Sequence, residues 1–151
     1  MRRAHSRGSS NQFSYFIVSS PPLLPLHIQH CFSLQLLRYE EGQYYKKHHD
    51  LIKHQINRPP GERILTFYMY LNGNEDSGLE GGGTNFPRLD ITVTPKLGRA
   101  ALWSSVLNDH PHQKDVRTEH AALLVENGVK YGANAWIHQR DYMTPNQKGC
   151  T

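Results

Sequence analysis

Residues 44–56, YYKKHHDLIKHQI, admit two readings, and the choice between them decides the fold. As a helix the segment is amphipathic, and no other stretch of the chain passes for one. On a helix, however, His48 and Asp50 point about 200° apart. On a strand, residues two apart share one face. A metal at His48-x-Asp50 therefore selects the strand. A facial triad of two imidazoles and one carboxylate occupies one face of an octahedral ion and leaves the opposite face open. Two ligands stand here, and the third must come from a distant strand that folds back alongside. His54, His110, His112, His120 and His138 are the candidates.

Outward from this segment, short runs of β-formers alternate with turns. SLQLLRYE, residues 33–40, has apolar residues at alternate positions and reads as a half-buried strand. RILTFYMYLN, from Arg63 to Asn72, is the strongest strand in the chain by its aromatic and β-branched content. GNEDSGLEGGG, residues 73–83, follows as a polar, glycine-rich turn or lid. TNFPRLDITVTP and GRAALWSSV read as further strands bounded by Gly or Pro. HAALLVENGVKYGANAWIHQRD supplies two more, with ENG as a hairpin turn. Seven or so short antiparallel strands indicate a sandwich or jelly roll.

Composition narrows the function class. The 151 residues make one domain, with 12 Gly and 9 Pro falling mostly between apolar runs. A net charge of +4, with Lys and Arg scattered, offers no basic block for nucleic acid. Two cysteines, Cys31 and Cys150, exclude a disulfide framework and a four-cysteine zinc site. Ten histidines point instead to a site built from imidazoles. No stretch approaches the ~20 apolar residues of a membrane helix. Residues 1–30 are rich in Ser, Pro and Arg and read as a disordered leader, because Ser19 to Pro22 break the apolar run that a signal peptide needs. Residues 31–151 form the domain.

Lys130, ten residues after His120, lies in the strand-like NGVKYGANAW. A buried ammonium beside such a metal suits a co-substrate that chelates at one end and carries a free carboxylate at the other. With this pair in place, YEEGQYYKKHHD, RILTFYMYLN, GGGTNFP, P-x-x-GRAALW and HAALLVENGVKYGANAWI together resemble the catalytic domain of the prolyl 4-hydroxylase family. The resemblance runs from about Leu34 to Cys150. These are iron(II)- and 2-oxoglutarate-dependent dioxygenases built on a double-stranded β-helix, or jelly roll.

The resemblance implies His48, Asp50 and His120 as iron ligands and Lys130 as the partner of the distal carboxylate of 2-oxoglutarate. It implies Tyr39 as a hydroxyl that also reaches the co-substrate, and Tyr45, Arg63 and Trp136 as walls of the peptide groove. The implied reaction is hydroxylation of peptidyl proline at C4 with O₂, giving succinate and CO₂, with ascorbate as the accessory reductant. Members commonly work in the endoplasmic reticulum and secretory pathway. Two departures stand out. Gly83 sits where the family commonly has a glutamate, which bears on peptide preference. Residues 1–30 do not resemble the helices and strands that precede the family's catalytic strands, so the jelly roll is expected to lack early strands and to expose an edge. An oxygenase acting on a non-prolyl substrate, or an inactive fragment that binds metal or a partner, are the competing readings.

Overall fold

The computed structural model describes residues 16–18, 34–73 and 75–149. Two antiparallel sheets face each other. The major sheet has the order β1 (Phe16–Val18), β8 (Ala100–Ser104), β4 (Arg63–Tyr70), β13 (Val129–His138), β2 (Gln35–Glu40). The minor sheet has the order β3 (Tyr45–His48), β11 (His120–Ala122), β6 (Thr84–Phe86), β7 (Ile91–Val93). Neighbours in each sheet are mostly distant in sequence, because the chain crosses repeatedly from one sheet to the other. That is the jelly roll expected from the strand pattern. β1 lies within the expected leader and pairs with β8. The rest of residues 1–33, Cys31 included, and Cys150 lie outside the described residues.

The inward faces set the core. Thr66, Tyr68 and Tyr70 alternate inward along β4, and Ala101 and Trp103 do so along β8. Tyr68, Tyr70, Ala101 and Trp103 pack against Phe86 and Val93 of the minor sheet. Phe86 and Trp103 meet edge to face at 5.2 Å between centroids, a geometry that adds about 0.5–1.5 kcal/mol beyond burial. The Tyr70 hydroxyl is 2.7 Å from Thr84 Oγ1 and donates to the Val93 carbonyl at 3.0 Å, tying one sheet to the other.

Three local expectations change. TNFPRLDITVTP is two strands, β6 and β7, paired with each other around a turn that holds Asp90 at φ 54°. Pro87 has no N–H and so cannot continue the ladder. Residues 73–83 are not wholly a loop: Glu75–Ser77 form a 3-10 turn and β5 (Glu80–Gly81) pairs with β12 (Val125–Asn127). The ENG turn is not a hairpin, since β12 pairs with β5 while β13 pairs with β2 and β4. Gly128, at φ 79°, turns the chain from one pairing partner to the next. The segment around His110 and His112 is β10 (His110–Lys114), paired with β9 (Val106–Leu107). After β13 the chain closes with the short helix α1 (Met143–Gln147).

β2 is an edge of the major sheet, with Leu34 and Leu36 exposed; its inward face is Gln35, Leu37 and Tyr39 instead. No helix among the described residues is long and apolar enough to cross a membrane.

Candidate functional site

The 44–56 segment is a strand where it matters. β3 ends at His48 and pairs antiparallel with β11, so that His48 and His120 stand directly opposite. Asp50 follows the end of β3. One ligand atom from each of His48, Asp50 and His120 falls within 4.8 Å of the others. His48 Nε2 is 3.7 Å from Asp50 Oδ1, and His120 Nε2 is 3.7 Å from Asp50 Oδ2.

The protonation of both rings follows from their backs. His48 Nδ1 is 2.9 Å from the Lys46 carbonyl, and His120 Nδ1 is 2.9 Å from the Thr118 carbonyl. A carbonyl only accepts, so each Nδ1 carries the proton and each Nε2 presents a lone pair. Burial holds the His120 pKa below the ordinary histidine value, against the pull of Asp50, and so favours the neutral ring. Two nitrogen lone pairs and a carboxylate thus converge, an arrangement that repels itself until a cation enters. Backbone-anchored imidazoles beside a carboxylate suit a divalent first-row metal. The residues present fit iron(II).

His49 serves otherwise. Its Nε2 donates to the Asp115 carbonyl at 2.8 Å and its Nδ1 accepts from the Leu51 N–H at 3.0 Å. Both nitrogens are spent: Nε2 ties the end of β3 to the turn that leads into β11, and Nδ1 holds the chain just after it. His54 is exposed in a 3-10 turn, and His112 pairs with the buried Glu62 at 3.1 Å. Neither joins a group of three metal-ligating residues among those described.

The triad opens into a cavity of about 360 Å³. On its wall, Lys130 is 1% exposed although its side chain is charged. Its Nζ lies 5.0 Å from the ring centre of Tyr39, 5.5 Å from Tyr68 and 5.8 Å from Tyr70. Burial pulls its pKa down to about 8, and no carboxylate of the described residues pairs with it. The glycine run supplies the close packing on its stem. Gly82, at φ +66°, puts its backbone where a Cβ would press on Lys130 Cδ. A cation held this way awaits an anion.

Residues 34–138 match the 2OG-Fe(II) oxygenase superfamily. The chain belongs to that superfamily. Among similar proteins of the family, Prolyl 4-hydroxylase 1 of Arabidopsis thaliana is 35% identical over 71% of this chain and 41% of its own length. The putative prolyl 4-hydroxylase of Acanthamoeba polyphaga mimivirus is 37% identical over 72% of this chain and 46% of its own. The viral collagen prolyl hydroxylase of Paramecium Bursaria Chlorella virus-1, solved with 2OG, superposes with a TM-score of 0.61 at 33% identity. That match covers 72% of this chain and 59% of the viral one. The chain therefore spans less than half the length of the two curated relatives.

Within this 2OG-Fe(II) oxygenase fold, the expected groove residues gather at the same cavity. Tyr45 meets His48 edge to face at 4.5 Å, and the Arg63 guanidinium lies 3.9 Å over the Trp136 ring. Residues that sequence reasoning missed support the triad from behind. Thr66 Oγ1 donates to Asp50 Oδ2 at 2.6 Å, and Trp103 Nε1 donates to the same oxygen at 3.2 Å. Oδ1 is left to face His48. The period-two inward face of RILTFYMY contained the signal for Thr66; nothing in the spacing marked Trp103.

Proposed function

We propose that this domain is an iron(II)- and 2-oxoglutarate-dependent dioxygenase that hydroxylates peptidyl proline at C4, releasing succinate and CO₂. One observation carries the reading: the His48–Asp50–His120 cluster and the caged, anion-seeking Lys130 open into one cavity. Iron(II), 2-oxoglutarate and O₂ supply the oxidation when bound. The chain's own residues hold and orient. His48, Asp50 and His120 would take one face of the metal, and the Nδ1 bonds keep both imidazoles aimed. Lys130 would pair with the distal carboxylate of 2-oxoglutarate, with the Tyr39 hydroxyl beside it. Phe86 and Trp103, at 5.4 and 4.8 Å from the His120 ring, keep water from that side. Tyr45, Arg63 and Trp136 would border the peptide. Ascorbate is the proposed accessory reductant.

The proline assignment draws on relatives named prolyl 4-hydroxylases at 35–37% identity. The test is incubation with iron(II), 2-oxoglutarate, ascorbate and a proline-rich peptide under air. Gain of one oxygen per site, found as 4-hydroxyproline and matched by succinate, is the expected result. Turnover of 2-oxoglutarate with an oxygen placed elsewhere would assign a non-prolyl substrate. If no 2-oxoglutarate is consumed or bound, the dioxygenase reading fails and a metal-binding domain remains.

A further inference from the structure

His48 and His120 form the last pair on their side of the β3–β11 ladder, since β3 stops at His48 and antiparallel β11 starts at His120. The ladder is irregular just inward of them, with a register shift between His120 and Ala122. Two metal ligands therefore stand at the fraying end of a short strand pair, where a sheet by itself fixes geometry least.

Beyond that end lies a turn. Asp115 caps the 3-10 turn Val116–Thr118, its carboxylate accepting from the Arg117 N–H at 3.1 Å. The same carboxylate takes the Arg117 side chain in a fork, Nε to Oδ1 at 2.9 Å and Nη2 to Oδ2 at 2.8 Å. Two parallel charge-assisted bonds fix direction as well as distance. Asp115 is 2% exposed and Thr118 is fully buried, so water does not compete for the turn. The Asp115 N–H donates to the Ser105 carbonyl at 3.1 Å, and the Ser105 N–H donates to the Ile64 carbonyl at 2.8 Å. The turn is thereby hung from β4 and from the chain leaving β8, the two strands that carry Thr66 and Trp103, the partners of Asp50.

One atom of this turn serves both ligand strands. The Asp115 carbonyl accepts from His49 Nε2 at 2.8 Å, from the Thr118 N–H at 3.1 Å and from the Thr118 hydroxyl at 3.0 Å. His49 directly follows His48, and Thr118 offers the carbonyl that holds His120 Nδ1 at 2.9 Å. His49 Nε2 is also 3.2 Å from Thr118 Oγ1, which joins segments 69 residues apart in the chain. A shift of the turn therefore moves the anchor beside His48 and the carbonyl behind His120 together. We infer that Asp115, clamped by Arg117, is a positioning residue of the metal centre and sets the aim of both imidazoles through its carbonyl. Neither Asp115 nor Arg117 lines the cavity, so both act through other residues. The inference rests on the reading of His48, Asp50 and His120 as a metal site, and adds the element that presets two of the three ligands.

Arg117→Met tests it, since the change opens the fork and leaves the cap and all three ligands in place. Asp115→Asn is the second variant, because it keeps an oxygen for the cap and gives up the charge. Asn72→Ala is the control for stability alone: Asn72 bridges the Val129 carbonyl and the Tyr131 N–H and does not line the triad cavity. Metal-free protein is titrated with cobalt(II), whose visible d–d spectrum reports ligand geometry as well as binding. Thermal unfolding of the metal-free protein reports the scaffold. The expected result is a cobalt(II) Kd raised about tenfold or more in both turn variants, with an altered spectrum, as for other lost partners of metal ligands. The control is expected to unfold at a lower temperature with the wild-type Kd and spectrum. Turn variants that unfold earlier but keep the wild-type Kd and spectrum would make the clamp merely structural and overturn the inference. A control that shifts the Kd and spectrum as far as the turn variants do also overturns it, because the signal would then track stability. Wild-type protein that binds no cobalt(II) fails one step earlier, at the metal site of the proposed function, and takes the inference with it.

Discussion

Thr66 Oγ1 donates to Asp50 Oδ2 at 2.6 Å, with both residues buried, and this is the shortest hydrogen bond to the triad among the described residues. The hydroxyl occupies one oxygen of the carboxylate and turns the other toward His48. Thr66→Val keeps the shape and removes the donor. Iron(II) affinity is expected to fall about ten- to hundredfold, as for other lost partners of metal ligands. Stability should drop by about 1–2 kcal/mol, since Trp103 still reaches the same oxygen. Metal titration followed by tryptophan fluorescence, alongside urea unfolding, reads both.

Adjacent histidines predict opposite phenotypes. His48→Ala removes a half-buried ligand whose Nε2 faces Asp50, so metal-dependent 2-oxoglutarate binding should vanish while the metal-free fold stays within about 1 kcal/mol. His49→Ala removes a ring whose nitrogens bond Asp115 and Leu51, so the metal-free fold should lose about 1–3 kcal/mol. Paired unfolding and binding curves separate the two. Equal stability losses would mean that His48 is structural.

How far this site was legible in the sequence depends on range. His48, Asp50 and Lys130 stood out through local spacing: i and i+2 share a strand face, and Lys130 follows His120 by ten residues in a strand-like run. The β4 strand was legible from its aromatic and β-branched run, and β2 too, although the side that faces the cavity proved to be Gln35, Leu37 and Tyr39. Pairings across sheets were not. β5 and β12 meet over some forty-five residues of chain, which made residues 73–83 look like open loop and ENG like a hairpin. The Trp103–Asp50 bond spans 53 residues and has no sequence signature. The close approach of Gly132 to Tyr68 joins β13 to β4 across more than sixty residues and likewise has no local signature.

Lys130 links the site to pH. Its folded pKa of about 8 lies below the ordinary lysine value of 10.5, so between these values the unfolded chain binds more protons than the folded one. Stability therefore rises with pH across that window. The cost of the buried charge is fully present below pH 8, at about 3 kcal/mol by the usual 1.36 kcal/mol per pH unit. Lys130→Met should make the metal-free protein more stable than wild type below pH 8, with the advantage shrinking toward pH 10.5. The same substitution removes the charge proposed to receive the co-substrate carboxylate. Wild-type 2-oxoglutarate affinity should fall as pH rises above 8, and the methionine variant should bind weakly at every pH. Unfolding and binding measured from pH 6 to 10 give both curves, and a flat wild-type binding curve would contradict a charge-paired Lys130.

Arg63 and Trp136 face each other across β4 and β13 at the cavity, with the guanidinium 3.9 Å over the indole and the Arg63 Nε buried without a partner. A stacked, desolvated guanidinium is stiff, and under the proposed function it would help border an incoming peptide. Neither side chain is part of the triad or of the Lys130 wall, so substitution here should separate peptide binding from co-substrate binding. Trp136→Leu is expected to raise the KM for a proline-rich peptide about tenfold, matching the ~1–2 kcal/mol of a lost aromatic contact. Its 2-oxoglutarate Kd should stay within about twofold. Arg63→Met should act in the same direction, because it removes the donor and leaves the indole uncovered. Succinate formation at saturating 2-oxoglutarate, followed as peptide is varied, gives the KM, and the anaerobic titration gives the Kd. A variant that loses both together would move Arg63 and Trp136 from the proposed peptide groove to the support of the metal site.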